Sequence, residues 1–139
     1  MKDLFVLLVE DNEADIELTT QLLSHVQLDN NLHVVRDGAE AIDFISKMNN
    51  DNTMPTPDLV ILDINLPKID GKEVLKFIKE DERFKSIRVI MYTSSSWETD
   101  IKYCKEMNAN LYLTKANSAL EYFNTIEELK KFTATNFAI

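Results

Sequence analysis

The chain has 139 residues, 45% hydrophobic and 28% charged, which suits one globular domain of ordinary size and is too apolar for a disordered segment. No apolar run nears the roughly 18 residues of a membrane span, and Leu4–Val9 is too short for a signal peptide, so no membrane association and a cytoplasmic location are expected. Fifteen Lys and Arg against 24 Asp and Glu leave a formal charge of −9 with no basic cluster, which disfavours a nucleic-acid ligand.

Residue types exclude more. A lone cysteine, Cys104, rules out an internal disulfide and any CxxC motif, and reads as a small buried filler. His25 and His33, without an HExxH pattern, do not assemble a histidine metal site and read as structural or surface residues. The two glycines, Gly38 and Gly71, cannot spell GxGxxG or GxxxxGK[ST], which removes the commonest nucleotide-binding loops.

In chain order, the first short apolar run is Leu4–Val9, which reads as a strand; Asn12 then caps a helix whose stripe is Ala14, Leu18, Leu22 and Val26. A second strand, Leu32–Val35, precedes Asp37 and Glu40 at capping-box spacing and the helical period Ala41, Phe44, Ile45, Met48. Asn49–Pro57, polar and with two prolines, reads as a lengthened loop before the third strand, Leu59–Leu62. Asp70 and Glu73 open a helix carrying Val74, Phe77 and Ile78. The fourth strand, Val89–Tyr92, leads to Ser95 and Glu98 at the head of a helix with Trp97, Ile101 and Cys104. The fifth strand, Leu111–Leu113, leads to Ser118 and Glu121 ahead of Tyr122, Ile126 and Leu129, and residues 133–139 read as a short tail. The strands lack in/out alternation, as parallel strands covered on both faces do. The order βαβαβαβαβα therefore predicts one α/β domain over 1–139, with its core at about 4–131: a doubly wound parallel sheet with right-handed crossovers and helices on both faces.

Ligands of such sheets bind outside the carboxyl ends of the strands. There the chain carries Glu10 and Asp11 after the first strand, Asp63 after the third, Thr93 after the fourth and Lys115 after the fifth. Any one of these alone would be an ordinary cap or solvated charge. Together, the three carboxylates suit a hard divalent cation, most plainly Mg2+, while Lys115 and the Thr93 hydroxyl suit phosphoryl oxygens. Asp63, central among them, suits a nucleophile that forms an acyl phosphate.

The segments Val9-Glu10-Asp11-Asn12, Leu62-Asp63-Ile64-Asn65-Leu66-Pro67 with Asp70-Gly71, Thr93-Ser94 and Thr114-Lys115 resemble the receiver domain of two-component response regulators, over roughly Leu4 to Lys131. The resemblance implies a flavodoxin-like (βα)5 fold with strand order 2-1-3-4-5. It implies that Asp63 accepts a phosphoryl group from a sensor histidine kinase or phosphotransfer protein. Glu10, Asp11, Asp63 and the Asn65 backbone carbonyl would surround Mg2+, and Thr93 and Lys115 would hold the phosphoryl oxygens. Tyr112 matches the family's aromatic switch position, paired with Thr93. The protein would then be a phosphoacceptor that assists its own phosphorylation and dephosphorylation, not an enzyme acting on a separate substrate. One departure stands out: the family usually has proline after the lysine, often in a cis peptide, whereas Ala116 follows Lys115, so a differently shaped final loop is expected. Lys115-Ala116-Asn117, the long loop before Asp58 and the Asp100-Ile101 pair also resemble the small single-domain regulators that partner bacteriophytochromes.

Because the chain ends just after the fifth helix, no output domain is expected, and the signal would pass to a downstream protein target or through a homodimer built on helix 4, strand 5 and helix 5. The plainer reading of that region is that Lys130-Lys131 form a solvated face, Trp97 packs at a helix start and Tyr122 and Phe132 cover the sheet. Three rivals remain. A pseudo-receiver scaffold typically loses the acidic pair, the acceptor or the lysine, all of which are kept here. A magnesium-dependent phosphatase would show DxDx[TV] where this chain has Asp63-Ile64-Asn65. A flavodoxin-like cofactor carrier would need a Ser/Thr/Gly-rich cradle after the first strand.

Overall fold

The computed structural model describes residues 3–50 and 55–138. Five strands, β1 (Phe5–Val9), β2 (Asn31–Val35), β3 (Leu59–Leu62), β4 (Arg88–Thr93) and β5 (Leu111–Thr114), alternate with five helices. The helices are α1 (Glu13–Ser24), α2 (Gly38–Asn50), α3 (Gly71–Glu80), α4 (Glu98–Glu106) and α5 (Ala119–Phe137). All neighbouring strands are parallel, in the order β2-β1-β3-β4-β5. The direction of winding reverses between β1 and β3, which makes the carboxyl ends of those two strands the natural ligand position.

The missing alternation has a direct cause, because both faces of the central strands are covered. Leu7, Val9, Val60, Leu62, Val89 and Met91 pack with Ala41 and Ile45 of α2, Val74, Leu75 and Ile78 of α3 and Cys104 of α4. Their alternates Val6, Leu8, Leu59, Ile61 and Ile90 pack with Ile16, Leu22 and Leu23 of α1 and Leu129 and Phe132 of α5. Each such side chain, fully buried, contributes about 1.5–3 kcal/mol, and the continuous apolar runs follow from that double burial. The edge strands β2 and β5 are only partly buried.

Four of the expected caps form. Asn12 Oδ1 accepts from the Asp15 N–H (3.0 Å), Asp37 Oδ1 from Glu40 (2.7 Å), Asp70 Oδ1 from Glu73 (3.1 Å) and Ser118 Oγ from Glu121 (3.1 Å). The fifth does not: α4 starts one residue after Trp97, which offers no side-chain cap. The Ser95 hydroxyl donates to Asp100 Oδ2 at 2.5 Å, and its oxygen accepts from the Trp97 N–H at 3.4 Å, ahead of the helix. Trp97 does not pack at the helix start, being 74% exposed.

The face of α1 also differs from the expected stripe. Ile16, Thr19, Leu22 and Leu23 are buried, while Ala14 is exposed and Leu18 is 56% exposed. A spacing of four residues drifts by about 40° at each step, so Ala14, Leu18, Leu22 and Val26 cannot share one face; Leu22 and Leu23, both buried, orient the helix. The polar loop expected from Asn49 begins later, because α2 runs to Asn50, and 51–54 lie outside the described residues. At the other end, α5 runs through Phe137 and takes in most of the expected tail, with Thr133 buried and Phe137 edge-on to Phe132 at 6.1 Å between centroids. Cys104 is a buried filler, His25 and His33 are exposed, Lys130 and Lys131 are solvated, and Tyr122 and Phe132 cover the sheet, as expected. Among the described residues, no helix is long and apolar enough to cross a membrane.

The corrected α1 face separates two substitutions. Leu23→Ala should cost about 2–5 kcal/mol, whereas Leu18→Gln should move stability by less than about 0.5 kcal/mol; urea unfolding midpoints of the two variants check the difference.

Candidate functional site

The backbone brings the strand-end residues together before their side chains do. The Glu10 N–H donates to Val35 O (3.1 Å) and the Asp63 N–H to Val9 O (3.3 Å), extending the ladders one residue past the strands, and the Lys115 N–H donates to Thr93 O (2.7 Å). The loop after Asp63 folds back tightly, with the Gly71 N–H on Ile64 O at 2.8 Å. A Cβ at Gly71 would lie 1.9 Å from the Asp63 carbonyl oxygen, so only glycine allows this close approach. Every peptide bond among the described residues is trans, including the one joining Lys115 and Ala116.

Three carboxylates converge on one ammonium. Lys115 Nζ bonds Glu10 Oε1, Asp15 Oδ2 (3.0 Å) and Asp63 Oδ2 (3.0 Å). Both acids from the strand ends are buried, and the lysine side chain is 12% exposed. The other oxygens are satisfied by backbone: Asp63 Oδ1 accepts from the Ile64 N–H (2.7 Å), and Glu10 Oε2 from the Asp11 (2.9 Å) and Asn12 (3.3 Å) N–H groups. Burial works against the Lys115 ammonium, but its bonds to Glu10 and Asp15 and the Asp63 charge outweigh that and raise its pKa, so it stays charged. Burial raises the Glu10 pKa; the Lys115 bond opposes this and the neighbouring Asp63 charge adds to it.

Asp11 and Asn65 lie exposed beside this cluster, and among the described residues no group of three His, Cys, Asp or Glu side chains is gathered closely enough to hold a metal ion. The expected metal set is thus split, with Glu10 and Asp63 meeting on the ammonium. Its chemistry still fits a hard cation, since two buried carboxylates already share one positive charge.

Reading the strand ends alone misses Asp15, which comes from the first turn of α1. The available signal was its position four residues after Asp11, one helical turn on, with its N–H capped by Asn12.

Thr93 is fully buried, and its Oγ1 accepts from the Ser95 N–H at 3.3 Å. Ser95 is a junction: its carbonyl accepts from the Tyr112 hydroxyl at 2.7 Å, and its own hydroxyl is held by Asp100, whose other oxygen pairs with Lys72 of α3. Tyr112 is therefore already tied to the loop before α4. A groove of about 660 Å3 between α2 and α3, lined in part by Ile42, Ile69 and Phe77, contains none of the cluster residues.

A doubly wound sheet with an acidic pair, an aspartate, a threonine and a lysine at its carboxyl edge defines a signalling receiver. Residues 6–127 match the response regulator receiver domain, and the chain belongs to that family. Over 127 residues it is 37% identical to response regulator Rcp1 of Synechocystis, covering 91% of this chain and 86% of that protein. The structure resembles the phosphorylated cyanobacterial phytochrome response regulator RcpA (TM-score 0.81, 33% identity, 97% of this chain and 94% of that one). It resembles the Mn2+-bound form of Rcp1 equally (TM-score 0.81, 34% identity, 98% and 96%). Members of this family are in general signalling proteins and not enzymes, which sets aside the phosphatase and cofactor-carrier readings.

The Asp100 carboxyl is held below its usual range by its bonds to Lys72 and Ser95. A depressed carboxylate stabilises the fold above its unfolded pKa and loses that contribution as pH falls through the folded value. Asp100→Asn should therefore lower the urea midpoint at neutral pH, by an amount equivalent to roughly 0.2–1 kcal/mol. The gap to the unsubstituted protein should close as pH falls below about 4.

Proposed function

We propose that the protein is a cytoplasmic response regulator that accepts a phosphoryl group on Asp63 from the phosphohistidine of a sensor kinase or phosphotransfer protein. The observation that carries this reading is the buried Asp63 carboxylate at the β1–β3 reversal, with Oδ1 braced by the Ile64 N–H and Oδ2 sharing the Lys115 ammonium with Glu10. Oδ2 attacks phosphorus in line as the bond to the imidazole nitrogen breaks; the bonding pair stays on that nitrogen. Lys115 gives up its bond to Asp63 and takes a phosphoryl oxygen, and the Thr93 hydroxyl donates to another. Glu10, Asp11, Asp63 and the Asn65 carbonyl would hold Mg2+, which neutralises charge on the phosphoryl oxygens when bound. Two structural relatives support the pairing, one being phosphorylated RcpA and the other Mn2+-bound Rcp1. The same residues would assist the later loss of the phosphoryl group to water.

Transmission runs through Ser95. A phosphoryl group brings up to two negative charges and three acceptor oxygens. A Thr93 hydroxyl drawn toward it stops accepting from the Ser95 N–H and loosens the loop that also carries the Tyr112 and Asp100 bonds. The resulting shift of α4, β5 and α5 is the output, read by a downstream protein or a second copy; the exposed Trp97, Leu120 and Phe123 support that face as the contact surface.

Incubated with Mg2+ and acetyl phosphate, the protein should gain a hydroxylamine-sensitive phosphoryl adduct by mass spectrometry, and Asp63→Asn should fold and gain none. An adduct on the variant moves the acceptor elsewhere, and no adduct on either leaves the scaffold reading.

Thr93→Ala should still be phosphorylated at Asp63 but lose the response of residues 94–112 to beryllofluoride in amide chemical shifts. A response as large as in the unsubstituted protein sinks the route through Ser95.

A further inference from the structure

We propose that Asp15 is a positioning residue that keeps the Lys115 ammonium at the site when Glu10 and Asp63 are drawn onto another cation; the proposal rests on the phosphoacceptor reading and deepens it. An ammonium has three protons to donate, and here each meets a different carboxylate. Two of the three acceptors are groups that the phosphoryl chemistry needs for itself. Asp15 is not at a strand end and has no such duty, yet its Oδ2 crosses from the first turn of α1 to a side chain 100 positions later in sequence, at 3.0 Å.

First-turn acidity favours any helix start through its dipole, but that does not account for this contact. Glu13 on the same turn is equally acidic and pairs outward with Arg36, with both side chains largely in solvent. Asp15 instead faces the cluster, with its side chain 35% exposed against 12% for Lys115. It is the one acceptor of the three that can hold the ammonium without competing for the phosphoacceptor edge.

The consequence concerns exchange. A divalent cation that takes Glu10 and Asp63 must displace the ammonium from both. With Asp15 present, Lys115 keeps one ionic partner throughout and stays beside Asp63, in reach of an arriving phosphoryl oxygen. Without it, the ammonium falls back wholly on the two carboxylates that the cation requires, and the cation competes against a more committed lysine.

Magnesium titrations of the full chain by calorimetry, on five proteins, separate this from a simple loss of negative charge. Asp15→Asn should weaken Mg2+ binding about 10-fold, at the low end for groups that orient a metal's ligands. In a Lys115→Met background the same change should matter by less than about 2-fold, because the effect passes through the lysine. Asp15→Glu, which restores the carboxylate, should recover most of the affinity. An equal loss in both backgrounds overturns the proposal in favour of bulk electrostatics, as does unchanged affinity in Asp15→Asn while the unsubstituted protein binds Mg2+ and takes a phosphoryl group. An unsubstituted protein that does neither overturns the phosphoacceptor reading, and this inference with it.

Discussion

The Lys115 ammonium is the charge on which the carboxyl edge of the sheet depends. It joins β5 to β1 through Glu10, to β3 through Asp63 and to α1 through Asp15, four segments spread over most of the chain. Remove it, and buried acids would face each other with nothing between them. Breaking a buried ion pair by deleting one partner typically costs about 3–5 kcal/mol, because the remaining charge is stranded out of water. The edge therefore carries a strong requirement for positive charge, and the bonds that Asp63 and Glu10 also accept from backbone N–H groups supply only part of it.

That requirement explains why the site was legible in sequence to the extent it was. Glu10, Asp63 and Thr93 stand directly after an apolar run and Lys115 one residue further on, and in a parallel sheet all such positions fall on one edge, so topology alone gathers them. Asp15 escapes because its place is set by helix geometry, which a reading of strand ends does not consult. Asp11 also stands at the edge, but its side chain is exposed while that of its neighbour Glu10 is buried. Which way each of two adjacent acids points depends on the loop N–H groups that capture one of them.

The fold shows the same division between what periodicity carries and what it does not. Strand identity and order of elements follow from double burial, which leaves a coarse and reliable trace. The face of α1 does not, since stripes through Ala14–Leu18 and through Ile16–Leu23 are both apolar and only tertiary packing chooses between them. Ser95 has the right spacing for a cap, but its hydroxyl is aimed at Asp100 in the first turn and its oxygen accepts from the Trp97 N–H, one residue before the helix begins. The last turns of α5 are held by Phe137 against Phe132, with the Arg88 guanidinium 5.9 Å from the Phe137 ring, a contact between distant parts of the chain that local propensity cannot report.

The shallow seating of α4 lowers the energy the molecule needs to respond. This helix of nine residues buries only Cys104, begins without a side-chain cap and is moored at its start by the chain of polar contacts from Ser95 through Asp100 to Lys72. By contrast α3, only one residue longer, buries Gly71, Val74, Leu75 and Ile78. Carrying a two-state element from one per cent to ninety-nine per cent occupancy takes about 5.5 kcal/mol, and an element moored by a few polar contacts on a shallow apolar face starts with less to overcome than one anchored in the core. The central strands and the α2–α3 layer can then stay rigid while the α4 side of the molecule changes its balance, so the proposed chemical event at one buried carboxylate would be read out at the surface without loosening the core that holds the carboxylate in place.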